Sequence, residues 1–94
     1  MKRVDINGKY RMVAIFCALH GGKGDGLTHI PWDTLERRFG VSWETYTNEL
    51  RANGMLHAGT GYVYLRPEWK AMTQAERMER ILQMYPYPNR NIKH

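Results

Sequence analysis

Glycine and proline cut this 94-residue chain at regular intervals. Gly21–Gly26, Pro31, Gly40, Gly54, Gly59–Gly61, Pro67 and Pro86 all fall at the ends of patterned apolar segments, not inside them. Glycine frees the backbone to reverse, and proline removes a donor and fixes φ, so each such point ends a helix or strand. The segments between them are short. Only a few short elements stacked on one small core fit such a chain, which has the length of a single domain.

Residues 9–20 repeat apolar side chains with a helical period. Met12, Ile15, Phe16 and Leu19 fall at i, i+3, i+4 and i+7 and predict one buried stripe, with Asn7 as N-cap and Gly21–Gly22 as the stop. A flexible loop at 21–26 follows, then a very short strand at 28–30. Pro31 suits the first turn of a second helix, which buries Trp32, Leu35 and Phe39 and ends at Gly40. Val41-Ser42 is a tight connection, and Ser42 is a candidate N-cap for a third helix, 43–53, with Tyr46 and Leu50 inward. Met55–Ala58 and Tyr62–Arg66 flank Gly59-Thr60-Gly61 and predict a hairpin. Val63 and Leu65 share one face of it, and Tyr62, Tyr64 and Arg66 the other. Thr73-Gln-Ala-Glu76 is a capping box opening a helix over 74–85. Ala75, Met78, Leu82 and Tyr85 line its apolar face, with Ile81 and Met84 widening it. The fold class expected is mainly α with a small β-hairpin, α+β.

The charge excess is unevenly placed. The chain carries +5, and residues 12–84 balance to zero, so the excess lies at the two ends. Lys2, Arg3, Lys9 and Arg11 outweigh Asp5 at one end, and Arg90 and Lys93 charge the other. Ends of this kind suit phosphate contacts beside a neutral body. The longest apolar run, Met12–Leu19, is far short of the ~18–20 residues that span a membrane. No signal-peptide pattern opens the sequence, and one cysteine forms no disulfide within the chain. A cytoplasmic protein without membrane attachment is expected.

The order helix, helix, tight turn, helix, hairpin carries a resemblance. Leu35-Glu-Arg-Arg-Phe-Gly-Val-Ser-Trp-Glu-Thr-Tyr-Thr-Asn-Glu-Leu50, then Asn53-Gly-Met-Leu56, resembles the winged helix-turn-helix family. There Leu35 and Phe39 pack the second helix, Gly40 permits the turn, Val41 plugs the corner and Gly54 lets the wing begin. Glu36 and Glu49 stand where the family usually has small residues, so these carboxylates need solvent or an Arg partner. Tyr10–Gly40 is also similar, more weakly, to winged helices of plasmid replication initiators. The organisation implied is a basic arm at 1–7, a winged helix-turn-helix domain at 8–66, a C-terminal helix region at 67–85 for packing or dimerisation, and a proline-containing basic tail at 86–94.

The resemblance implies double-stranded DNA as the partner, with helix 43–53 in the major groove. Trp43, Glu44, Thr47, Asn48 and Arg51 match the family's reading face. Arg51 suits guanine O6 and N7, Asn48 suits adenine N6 and N7, Glu44 suits cytosine N4, and Trp43 or Thr47 suits a thymine methyl. Phosphate contacts fall to Arg37, Arg38, Lys2, Arg3, Lys9, Arg11, Arg66 and Lys70, and to the Thr60 hydroxyl at the wing tip. A small transcriptional regulator of a phage, plasmid or compact microbial genome, dimeric through helix 74–85, is the expected function. A replication or recombination accessory factor, or a protein-binding winged helix using Trp43, Tyr62 and Tyr64, are the alternatives.

Other motifs carry less. Cys17 and His20 lie at i, i+3, but His29 and His57 lack ligand spacing, so a buried thiol is expected and no metal. Gly21-Gly-Lys-Gly-Asp-Gly26 lacks the phosphate-loop order and follows a helix, not a strand. No catalytic set stands out, and no cofactor or small-molecule ligand is expected.

Overall fold

The computed structural model describes residues 5–21 and 29–88. Among them, in chain order, are α1 (Gly8–Gly21), β1 (Ile30–Pro31), α2 (Trp32–Phe39), α3 (Trp43–Ala52), β2 (Leu56–Ala58), β3 (Tyr62–Leu65), α4 (Pro67–Lys70) and α5 (Gln74–Met84). The chain is thus mainly helical, with a small antiparallel sheet ordered β1-β3-β2. Ile30 pairs with Val63, and Leu56 with Leu65. The loop expected at 21–26 falls, beyond Gly21, outside the described residues.

The core gathers between α1, α3, α5 and the inner face of the sheet. Val13, Ala14, Cys17, Ala18, Ile30, Leu35, Leu50, Met55 and Ile81 are fully buried there. The hairpin follows its expected alternation: Val63 and Leu65 are buried, and Tyr62 and Tyr64 are half-exposed. Gly59 has a steric role. A Cβ there would lie 2.4 Å from the Tyr62 ring, which folds over the turn.

The α1 stripe is rotated from its expected position. Met12 and Leu19 are about half exposed, at 54% and 50%, while Val13, Ala14, Cys17 and Ala18 form the buried face. Neighbours lie on more than one side of α1, and close packing selects the small side chains. The end of α1 shows how close: a Cβ on Gly21 would sit 3.2 Å from Leu65 Cγ. Asn7 stands just before α1, but its side-chain amide donates to the Pro86 carbonyl.

Four further expectations are corrected. Val41 does not plug the helix corner; it is 84% exposed. Gly40, at φ 82°, makes the turn, and its N–H closes α2 on the Glu36 carbonyl. Ser42 occupies the N-cap position of α3 without a side-chain cap, because its ψ of 2° is not the extended geometry that aims Oγ at the helix. Trp32 is not buried but 39% exposed, since Pro31 stays in the sheet edge and the helix starts only after it. Pro67 does more than end a strand: it sits at N1 of α4, whose Trp69 is buried.

The helix over 74–85 forms, and both halves of its Thr73–Glu76 capping box are present. Its buried face is turned, however: Arg77, Ile81 and Tyr85 point inward, while Ala75 and Leu82 are exposed. Among the described residues Arg77 has no carboxylate partner. Its Nε and Nη2 donate to the Trp69 and Lys70 carbonyls at 2.8 and 2.9 Å, and Nη1 to Gln74 Oε1. The guanidinium thus caps the carbonyl end of α4, where the helix dipole favours a cation.

A candidate nucleic-acid interface on α3 and the hairpin

α3 is held from behind and open in front. Leu50 is fully buried, and Tyr46 meets Tyr10 edge-on at 5.4 Å. Tyr10 stacks on Tyr85 at 5.6 Å, and Asn53, just past α3, donates to the Tyr85 hydroxyl at 2.7 Å. Burial pushes the Tyr85 phenol up from its ordinary value, so it stays protonated in that bond. These contacts fix the axis of α3 against α1 and α5.

Along the open side, Glu44, Asn48 and Arg51 are exposed and Trp43 is half-buried. Arg51 Nη1 donates to Asn48 Oδ1 at 3.3 Å, which orients the two groups side by side. A shallow groove of about 40 Å³ runs between this edge and the hairpin. Trp32 and Trp43, with ring centroids 6.0 Å apart, close one end, and Ala58 and Val63 form the hairpin wall. Glu36 and Glu49 both face solvent, so neither carboxylate is buried at a helix contact.

Thr47 must be removed from the reading face. It is only 2% exposed, and its Oγ1 donates to the Glu44 carbonyl one turn back. The hydroxyl is satisfied within its own helix. On α3, position 47 lies about 60° round the helix from Leu50, on the side where Ala58 and Val63 of the hairpin sit.

The basic residues divide into engaged and open groups. Arg11 is not a phosphate anchor. It is 5% exposed, ion-pairs with Asp5, donates to the Tyr85 and Pro86 carbonyls at 2.9 and 3.1 Å, and lies 3.9 Å from the Tyr87 ring centroid. Lys70 Nζ donates to the Gly21 carbonyl at 3.1 Å. Arg66 pairs with Glu68 at 3.5 Å. Backbone and Arg66 hydrogen bonds hold the exposed Glu68 carboxyl below its ordinary range. Lys9, Arg37 and Arg38 are exposed, Arg37 with Asp33 at 3.9 Å and Arg38 over the Phe16 ring at 5.3 Å. Thr60 is exposed at the turn. Lys2 and Arg3, with Arg90 and Lys93, lie outside the described residues.

Two other hollows were missed by the sequence. One, about 270 Å³, is lined by Met72, Glu76, Glu79, Arg80 and Gln83, and its two carboxylates oppose a polyanion. The other, about 220 Å³, is apolar and lies between α1 and α2, where Met12, Leu19, Phe16 and Phe39 meet Arg38. Its signal was present as the i, i+3, i+4, i+7 stripe, whose exposed side was assigned to the core.

Cys17 is fully buried, and burial pushes its thiol up to about 12. Its neighbour His20 packs against Phe16. Among the described residues, no three His, Cys, Asp or Glu side chains come together as a metal-ligand set. Nor is any described helix long and apolar enough to cross a membrane. Comparison with protein-family models, with curated proteins and with solved structures gives no match for this chain.

Proposed function

We propose that the chain is a winged helix-turn-helix module that binds double-stranded DNA, with α3 entering the major groove and the β2–β3 hairpin serving as the wing. The observation that carries this reading is the oriented Asn48–Arg51 pair on the open edge of α3, beside the hairpin wall. A helix edge that presents an amide and a guanidinium together offers the two side chains best suited to adenine and guanine edges. Three strands in the order β1-β3-β2, joined to α2 and α3, support the wing assignment.

The reading face is narrower than the sequence implies: Glu44, Asn48 and Arg51, with Trp43 at the rim. It carries no net positive charge of its own, so phosphate affinity falls to Lys9, Arg37, Arg38 and the basic ends. A small regulator of transcription is the role this arrangement fits. A second copy, if it docks on α5, meets Ala75 and Leu82, because Ile81 and Tyr85 are used against the body of the molecule.

Selection from a random-duplex pool, followed by a salt titration, tests the reading. The expected result is an enriched motif and a steep fall of affinity with salt. Arg51→Ala then costs about 1–3 kcal/mol on the enriched site alone. Failure to enrich any motif sinks the proposal.

A further inference from the structure

The solvent face of the sheet has an unusual makeup. An exposed antiparallel face ordinarily alternates polar and charged side chains. Here it carries four rings drawn from all three strands or their flanks. His29 stacks on Tyr62 at 3.8 Å and 12°, Tyr62 lies 5.9 Å from Tyr64, and Tyr64 lies 5.5 Å from His57. His29 is exposed, and the other three rings are half-exposed. Arg66 follows Tyr62 and Tyr64 in the alternation of β3, at the end of this row.

We propose that His29, Tyr62, Tyr64 and His57 form a stacking platform for unpaired bases of single-stranded DNA, so that the protein holds a junction between duplex and single strand. The junction rests on the α3 reading above; the platform itself does not. Three observations select this occupant. His29, stacked on Tyr62, covers a face of that ring, so a base meets the exposed His29 ring and the rings of Tyr64 and His57; every base offers a π-face, and such rings accept it without regard to sequence. Arg66 supplies a cation at the end of the row; its partner Glu68, whose carboxylate also feels His57, is held by an exposed 3.5 Å contact that exchanges at little cost. The platform also adjoins the duplex site. Val63 lines the α3 groove while its neighbours Tyr62 and Tyr64 turn to the opposite face of the same strand. A strand that parts from a duplex at the hairpin tip therefore meets the rings next.

Three labelled DNA probes test this by fluorescence anisotropy with the full chain: an oligothymidylate, a duplex carrying the enriched motif, and the same duplex with an oligothymidylate tail. The expected result is binding of the single strand and tighter binding of the tailed duplex than of the blunt one. Tyr64→Leu and His29→Leu each weaken the single strand roughly 5- to 100-fold and leave the blunt duplex unchanged. His29 is exposed and at the edge of the fold, so its variant keeps the test valid if Tyr64→Leu melts the hairpin. No binding of the oligothymidylate, or binding indifferent to both substitutions, overturns the platform. Blunt-duplex affinity indifferent to Asn48→Ala and Arg51→Ala overturns the α3 reading instead, and the single-strand result then stands alone.

Discussion

Thr47 and Arg51 lie one turn apart on α3, and only Arg51 meets solvent. If α3 reads DNA as proposed, Thr47→Val acts on stability and leaves the DNA motif unchanged, whereas Asn48→Ala changes base preference at one position and leaves stability within about 0.5 kcal/mol. Motif selection and thermal melting of the two variants separate the effects. Cys17 gives a pH-dependent outcome. Its thiol ionises at its ordinary 9.0 in the unfolded chain and near 12 when buried. Below 9.0 both states keep the proton, and Cys17 adds no pH dependence. Above it, the unfolded state loses its proton first, so stability falls as pH rises from 9.0 toward about 12. Denaturant melts of the wild type and Cys17→Ala diverge across that window. At about pH 8 a thiol reagent labels Cys17 only as fast as the fold opens.

At the level of elements, period was legible throughout, and phase in α3 and the hairpin but not in α1 and α5. α1, α3, the hairpin and α5 form where the spacing of Tyr46/Leu50, Val63/Leu65 and Thr73/Glu76 places them. But α1 buries its small residues and exposes Met12 and Leu19, and α5 buries Arg77 and exposes Leu82. A helix with several apolar or long side chains around its circumference does not specify which side meets its neighbours. Leu19→Lys is accordingly expected to change stability by no more than about 0.5 kcal/mol. Ala18→Leu, one residue away and fully buried, costs about 1–3 kcal/mol by overpacking. The reverse order in denaturant melts would restore the stripe read from the sequence. Pro67 opening α4, with Trp69 buried, was hidden because four residues carry no period.

For the molecule as a whole, two buried arginines knit distant parts of the chain. Arg77 closes α4 onto α5, and Arg11 ties Asp5 to Tyr85, Pro86 and Tyr87. Asp5, Tyr85 and Tyr87 therefore meet Arg11 at one corner of the fold, the corner where Tyr85 receives Asn53 from the end of α3. Arg77→Met leaves the Lys70 carbonyl without its donor and the Trp69 carbonyl with the Met72 N–H alone, and costs roughly 1–3 kcal/mol. For a domain of this size that lowers the melting temperature by about 4–24 °C. Arg11→Met is expected to raise hydrogen exchange through α5's last turn and the end of α3 together, since both lean on Tyr85. Exchange confined to one of them would show that the corner does not act as a unit.

The sequence by itself determined where most elements begin and end, because those limits are local: Gly40 permits a positive φ, Pro67 stops β3, and Thr73 and Glu76 satisfy each other's backbone. Tertiary structure alone decided which side of α1 and of α5 is buried, that Arg11 is spent on Asp5, Tyr85 and Pro86, and that Thr47 is sealed while Met12 is open. Those outcomes depend on what packs across the gap from each residue. Burial of a side chain is a property of two surfaces, and the sequence of one element describes only its own.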